Sequence, residues 1–198
     1  MEIISVTNRL ICKDFLGQVE KIAKSEPKFI ILREKDLPEE VFLSLAKEVK
    51  SVCNIYNVPL VINSFYRVAE EIEAEGIHLP LELAEKGEYK SFKYFGISTH
   101  SLSDAIEAES LGATYITYGH IFATDCKKGL APRGTKELKE ICSALNIPVY
   151  GIGGITPQNA IEAVHAGAKG ICLMSSLMRA EEPRVLINEV KRFFETMI

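Results

Sequence analysis

At 198 residues the chain can bury one substantial core. Its 47% hydrophobic and 25% charged residues match an ordinary globular protein and exclude the disordered and fibrous classes. A formal net charge of -4 and a pI near 5.7 exclude a general nucleic-acid binder, because phosphate contacts need a surplus of Lys and Arg on one face.

The N-terminus, MEIISVTNRL, has an acidic second residue, no basic region and too short an apolar run for a signal peptide. No later stretch reaches ~18 apolar residues, so the expected location is cytoplasmic, with no membrane partner. Short β-branched runs then alternate with longer amphipathic or alanine-rich segments. Strands are predicted at Ile3–Asn8, Phe29–Arg33, Leu60–Asn63, Gly76–Leu79, Tyr94–Thr99, Thr114–Gly119, Val149–Gly153 and Gly170–Ser175. After the second strand, Pro38, Glu39 and Glu40 precede Val41, Phe42, Leu45, Ala46, Val49 and Val52 at helical spacing. After the fifth, Ser101 and Asp104 form a capping box that opens a helix over Leu102–Leu111. After the seventh, Thr156 as N-cap and Pro157 at the first helical position open another. The five cysteines, at 12, 53, 126, 142 and 172, form no CxxC pair and are odd in number, which argues against a zinc ribbon or disulfide framework.

Eight units in 198 residues allow about 25 residues each, the compact lower limit of a (β/α)8 TIM barrel, here a single domain over 1–198. A doubly wound open sheet shares the alternation, and periodicity does not separate the two. In a barrel, ligands sit at the C-terminal strand ends. That rule selects Thr7 and Asn8, Arg33 to Lys35, Asn63 and Ser64, His78 to Pro80, Ser98 to His100, the 119–133 segment, Gly153 to Thr156, and Ser175 with Ser176.

Gly153-Gly154 and Ser175-Ser176 follow the last two strands, where bare amides at a helix start suit a phosphate. The run GHIFATDCKKGLAPRG carries His120, Thr124, Asp125, Lys127, Lys128 and Arg133 and reads as a lid or substrate clamp. Arg33, Glu34 and Lys35 follow the second strand and add cations to the rim, with a routine salt bridge as the alternative. Among four histidines, His120 is the preferred acid–base group because it follows a strand end and a glycine. His165 reads as a surface residue, and His78 and His100 read more readily as structural. The rim shows no paired carboxylates, so glycosidase chemistry and a hard-metal cage lack their parts, and no metal or other cofactor is expected.

The segments ILREKDLPEE, PLVIN, GISTHSLSDAIEAESLGATYITYGHIF, PVYGIGGITPQNA and AGAKGICLMSS, in this order over nearly the whole chain, resemble the thiamine-phosphate synthase and TenI superfamily. Within it the sequence resembles the thiazole tautomerase branch, of TenI type. The synthase pattern Gln-x-Arg-x-Lys retains only Arg33 and Lys35, with Ile31 at the glutamine place. Its Asn-Asp pair becomes Asn63-Ser64, and its His-Leu-Gly-Gln-x-Asp becomes His78-Leu79-Pro80-Leu81-Glu82-Leu83, so both magnesium-ligand aspartates of that pattern are replaced. Its Gly-Pro becomes Gly119-His120.

The resemblance implies a phosphate-binding barrel that aromatises a dearomatised carboxythiazole phosphate by a 1,3-proton shift. His120 would be the acid–base residue, and Thr124 and Lys127 would contact ligand. Gly154, Met174 and Ser175 would form the phosphate pocket, Met174 through its backbone alone. Arg33, Lys35 and Lys127 would hold carboxylate or phosphate. The implied partners are this small molecule, a functional link to thiazole synthase and a second copy in a homodimer. Two alternatives are a residual thiamine-phosphate synthase and a non-catalytic thiazole-phosphate sensor.

Overall fold

The computed structural model describes residues 1–87, 89, 91–124, 127 and 129–195, without the side chains of 194 and 195. Eight parallel strands close into a barrel in sequence order, so the open-sheet alternative does not apply. The strands are β1 (Glu2–Val6), β2 (Ile30–Leu32), β3 (Leu60–Asn63), β4 (Gly76–Pro80), β5 (Tyr94–Thr99), β6 (Tyr115–Gly119), β7 (Val149–Ile152) and β8 (Gly170–Leu173). Helices cross over between them: α1 (Phe15–Ala23), α2 (Glu39–Ile55), α3 (Tyr66–Glu71), α4 (Leu81–Ala84), α5 (Leu102–Ser110), α6 (Gly134–Ala144) and α7 (Ala160–His165). The short α8 (Ser175–Arg179) and the longer α9 (Pro183–Glu195) close the chain. This is a compact (β/α)8 TIM barrel.

Local sequence explains the elements. Strands such as LVIN of β3 are buried along their whole length, as expected where helices cover one face and the barrel interior the other. Helix α2 buries Phe42, Ala46, Val49 and Cys53, one stripe at helical spacing, and starts after Pro38 as the sequence predicts. Ser101 caps α5 by accepting from the Asp104 amide at 3.1 Å, while the Asp104 carboxylate accepts from the His100 amide at 2.8 Å. The start predicted at Thr156 is corrected. The Thr156 amide donates to Asn159 Oδ1 at 2.7 Å, so 156–159 form a turn and α7 begins only at Ala160.

Two apolar layers result. One lies between strands and helices. The other, inside the barrel, consists of Ile4, Val6, Phe29, Ile31, Val61, Tyr115, Tyr150 and Cys172. Phe29 meets the rings of Tyr94, Tyr115 and Tyr150 at centroid distances of 4.9, 5.2 and 6.5 Å. Tyr115 fits because Gly96 faces it: a Cβ there would stand 2.1 Å from the tyrosine ring. Tyr150 seals the base by donating to Glu2 Oε2 at 2.5 Å. This aromatic plug closes the lower barrel, so inward-facing polar side chains can accumulate only at the mouth. The four described cysteines, Cys12, Cys53, Cys142 and Cys172, are free; Cys126 lies outside the described residues. Among the described residues no helix is long and apolar enough to cross a membrane.

Candidate active site

Strand alternation sets the floor of the mouth. Two residues above Tyr115 stands Thr117, two above Gly96 stands Ser98, and the ring of His78, on the neighbouring β4, reaches both. His78 is 5% exposed. Its Nδ1 lies 3.0 Å from Tyr115 Oη, and its Nε2 lies 2.8 Å from Ser98 Oγ and 3.4 Å from Thr117 Oγ1. Burial, and then the positive charges of Lys35 and Arg33, push His78 down to about 3. The ring is therefore neutral in the folded protein, whereas in the unfolded chain it gains a proton below about pH 6.5. Stability is expected to fall as pH drops from about 6.5 to 5, by up to ~1.4 kcal/mol per unit, before carboxylates titrate. Urea unfolding across that range should show this slope and lose it in His78→Asn; an equal slope in both proteins would refute the assignment.

Above this floor sits a cationic rim. Lys35 is held below its usual value by partial desolvation, then by the charges of Arg33 and Lys127, against an opposing contribution from Glu82. Of the three residues after β2, Glu34 does enter an ion pair, with Arg9 at 3.4 Å. Glu34 is 3% exposed; it accepts from Thr7 Oγ1 at 2.6 Å and from the Arg9 amide at 3.0 and 3.1 Å. Arg9 reaches on to Asp36, 2.6 Å away. Thr7 Oγ1 in turn accepts from the Arg33 amide at 2.9 Å, tying the loop after β2 to the end of β1. Among the described residues no carboxylate lies within ion-pair distance of Arg33 or Lys35, which leaves both charges to an anion.

His120 follows β6 directly and is 8% exposed. Its Nε2 lies 3.3 Å from the Leu130 carbonyl. A carbonyl only accepts, so the neutral ring carries its proton on Nε2 and its lone pair on Nδ1. The loop is anchored at its base, where Arg133 and Gly134 amides donate to the His120 and Ile121 carbonyls at 3.0 Å each. His100, Gly119, His120, Lys127, Leu130, Ala131 and Arg133 enclose a cavity of about 210 Å³. A larger depression of about 380 Å³, lined by Cys53, Asn57, Pro59 and Glu75, opens near the N-terminal ends of β3 and β4, away from the strand ends that bear this chemistry.

Gly153 and Gly154 follow β7 with φ of +96° and +68°. The Ile121 and Phe122 amides donate to the Ile152 and Gly153 carbonyls at 3.0 Å each, pressing the loop after β6 against the glycines. Met174 precedes α8 and packs its side chain on the inner apolar cluster, with Ser175 and Ser176 half-buried beside it. Among the described residues no acceptor pairs with the amides of Gly154, Ser175 or Ser176, so donors from the ends of β7 and β8 remain for a ligand. Thr124 is half-buried and Lys127 exposed on the loop after β6, whereas Asp125 and Lys128 lie outside the described residues.

Neither position at which the synthase pattern has a magnesium-ligand aspartate offers a donor of that kind: one is Ser64 and the other Leu83 of α4. Among the described residues no three His, Cys, Asp or Glu side chains gather as a metal-ion site, so the residues present do not fit the divalent cation of that pattern. The strand-end rule selects both His78 and His100, and the buried ring of His78, partnered at both nitrogens, agrees with the structural role read for it.

The chain matches the family described as "Thiamine monophosphate synthase" over residues 3–177. It is 34% identical to a "Thiamine-phosphate synthase" of Clostridium acetobutylicum over 94% of this chain and 93% of that one. It is 35% identical to a "Thiamine-phosphate synthase 2" of Streptococcus pneumoniae, over 89% of this chain and 87% of that one. A solved "Thiamine phosphate pyrophosphorylase" from Pyrococcus furiosus superposes with a TM-score of 0.84 at 27% identity, covering 100% of this chain and 96% of that one. With this barrel and these relatives, the chain belongs to the thiamine monophosphate synthase family.

Proposed function

We propose that this family member is a thiazole tautomerase, which aromatises a dearomatised carboxythiazole phosphate supplied by thiazole synthase. The observation that carries the reading is His120, a buried imidazole at the end of β6 with its lone pair left on Nδ1, in a small cavity beside Lys127 and Arg133. Substrate phosphate would lie on the open amides of Gly154, Ser175 and Ser176. Arg33, Lys35 and Lys127 would neutralise the remaining anionic groups. His120 takes a proton from ring C2, and the exocyclic carbon is protonated as the double bond moves into the ring. Aromaticity drives this step, so orientation and proton transfer are the only contributions required of the protein.

A second reading, thiamine-phosphate synthase, is supported by the names of the relatives and is the one those names favour. Against it stand Ser64 and Leu83 where that chemistry uses carboxylates to hold magnesium. One experiment separates them. The purified chain is given the dearomatised carboxythiazole phosphate without added metal, followed by ultraviolet absorbance and proton NMR. In parallel it is given thiazole phosphate with a pyrimidine diphosphate and magnesium. Accelerated aromatisation without coupling is the expected result; coupling without accelerated aromatisation would overturn the tautomerase. Saturable binding with neither reaction would leave the sensor.

A further inference from the structure

We propose that His100 is a second proton-transfer group, lining the same cavity as His120. The inference rests on the tautomerase reading and adds a residue to it. His100 directly follows β5, two residues after Ser98, and is exposed at the rim of the mouth. Its backbone is fixed where its amide donates to Asp104 Oδ2 at 2.8 Å. Its ring is fixed where Nδ1 lies 2.7 Å from the Gly119 carbonyl, in the peptide that leads into His120.

That carbonyl can only accept, so Nδ1 of His100 bears a proton in both the neutral and the charged ring. Its Nε2 is then the atom that gains or loses a proton. Both histidines line the same cavity of about 210 Å³. The two rings therefore have fixed and complementary tautomers: Nδ1 is the open position on His120 and Nε2 on His100.

Tautomerisation removes a proton from one carbon and adds one to another. A single imidazole must reach both, whereas two rings divide the task. Neutral His120 takes the C2 proton on Nδ1 and becomes an imidazolium. The electron pair of the broken C–H bond enters the ring system and shifts the exocyclic double bond inward. His100, entering as the imidazolium, gives its Nε2 proton to the exocyclic carbon and becomes neutral. The balance is one proton taken and one given, with the positive charge transferred from His100 to His120 and reset by exchange with solvent.

The test compares the native chain with His100→Asn, whose side-chain amide can still donate to the Gly119 carbonyl, and with His100→Ala. Two rates are read in deuterated water: exchange of the C2 proton and formation of aromatic product. For His100→Asn, product formation is expected to fall about 10²-fold or more while C2 exchange stays within about threefold of native. The ratio of exchange to turnover therefore rises steeply, and His100→Ala should show the same split. A purely structural role would lower both rates together in His100→Ala and let His100→Asn recover both; either that pattern or native turnover in His100→Asn would overturn the proposal. Absence of both exchange and turnover in the native chain would instead overturn the tautomerase reading, and the His100 assignment with it.

Discussion

His120→Ala is expected to lower the rate of aromatisation by ~10²–10⁴-fold, the usual contribution of one positioned acid–base group. That corresponds to about 3–5 kcal/mol of barrel-mouth chemistry residing in one ring. KM should change by no more than about threefold, because the amides proposed to hold the phosphate lie on other strands, at Gly154 after β7 and at Ser175 and Ser176 after β8. The fold should survive. The side chain is nearly buried, and among the described residues its one hydrogen bond is long, 3.3 Å to the Leu130 carbonyl, so loss of that bond is expected to cost about 1 kcal/mol. Imidazole added to the variant should restore part of the rate by entering the space the ring leaves. A folded His120→Ala protein with native turnover would remove His120 from the chemistry.

Much of this architecture was legible because each cue is local. A β-branched run followed by an amphipathic segment marks a strand and its crossover, and the rim rule then points to Arg33, Lys35, His120 and Ser175 with no knowledge of contacts. The misreadings come from side chains acting over distance. Asn159 captures the Thr156 amide and delays α7 by one turn. Glu34 pairs with Arg9, 25 residues away, rather than with its neighbours Arg33 and Lys35, and no periodicity encodes that choice. The partners of His78 on β5 and β6 are also unreadable along the chain, because which residues of neighbouring strands face the same interior is a property of barrel closure.

The names of the relatives and the chemistry of the mouth bear on different residues. An identity of 34% over nearly the whole chain shows the family and a shared barrel, and does not by itself specify the groups that meet the substrate. The departures that bear on reaction type are few. Ile31 is 2% exposed and packs in the inner cluster instead of presenting an amide to a ligand. Ser64 and Leu83 replace two carboxylates, and His120 replaces a proline. Removing anionic ligands while adding an imidazole shifts a site from neutralising a diphosphate toward moving a proton. These four positions are where the proposed tautomerase departs from the synthase pattern that the sequence otherwise resembles.

Gly153→Ala should be strongly destabilising and should act directly on His120. At φ +96° an L side chain is strained, for about 1–3 kcal/mol. The added Cβ would also stand 2.4 Å from His120 Cβ and 2.8 Å from His120 Cα. Neither atom is the free end of a flexible side chain, so the loop after β6 must move as a body, at a further ~1–3 kcal/mol. Gly134 supplies the control. Its φ is +77°, yet a Cβ there meets nothing within 4 Å, so Gly134→Ala carries backbone strain without the collision. Chemical denaturation should place Gly153→Ala below Gly134→Ala by that collision term. Turnover should separate them further, because displacing the proton-transfer ring by even ~1 Å is worth about 10²-fold. If Gly153→Ala were destabilised as expected yet turned over at the rate of Gly134→Ala, the position of His120 against β7 would be irrelevant to the reaction, and the proton shift would have to be assigned elsewhere in the mouth.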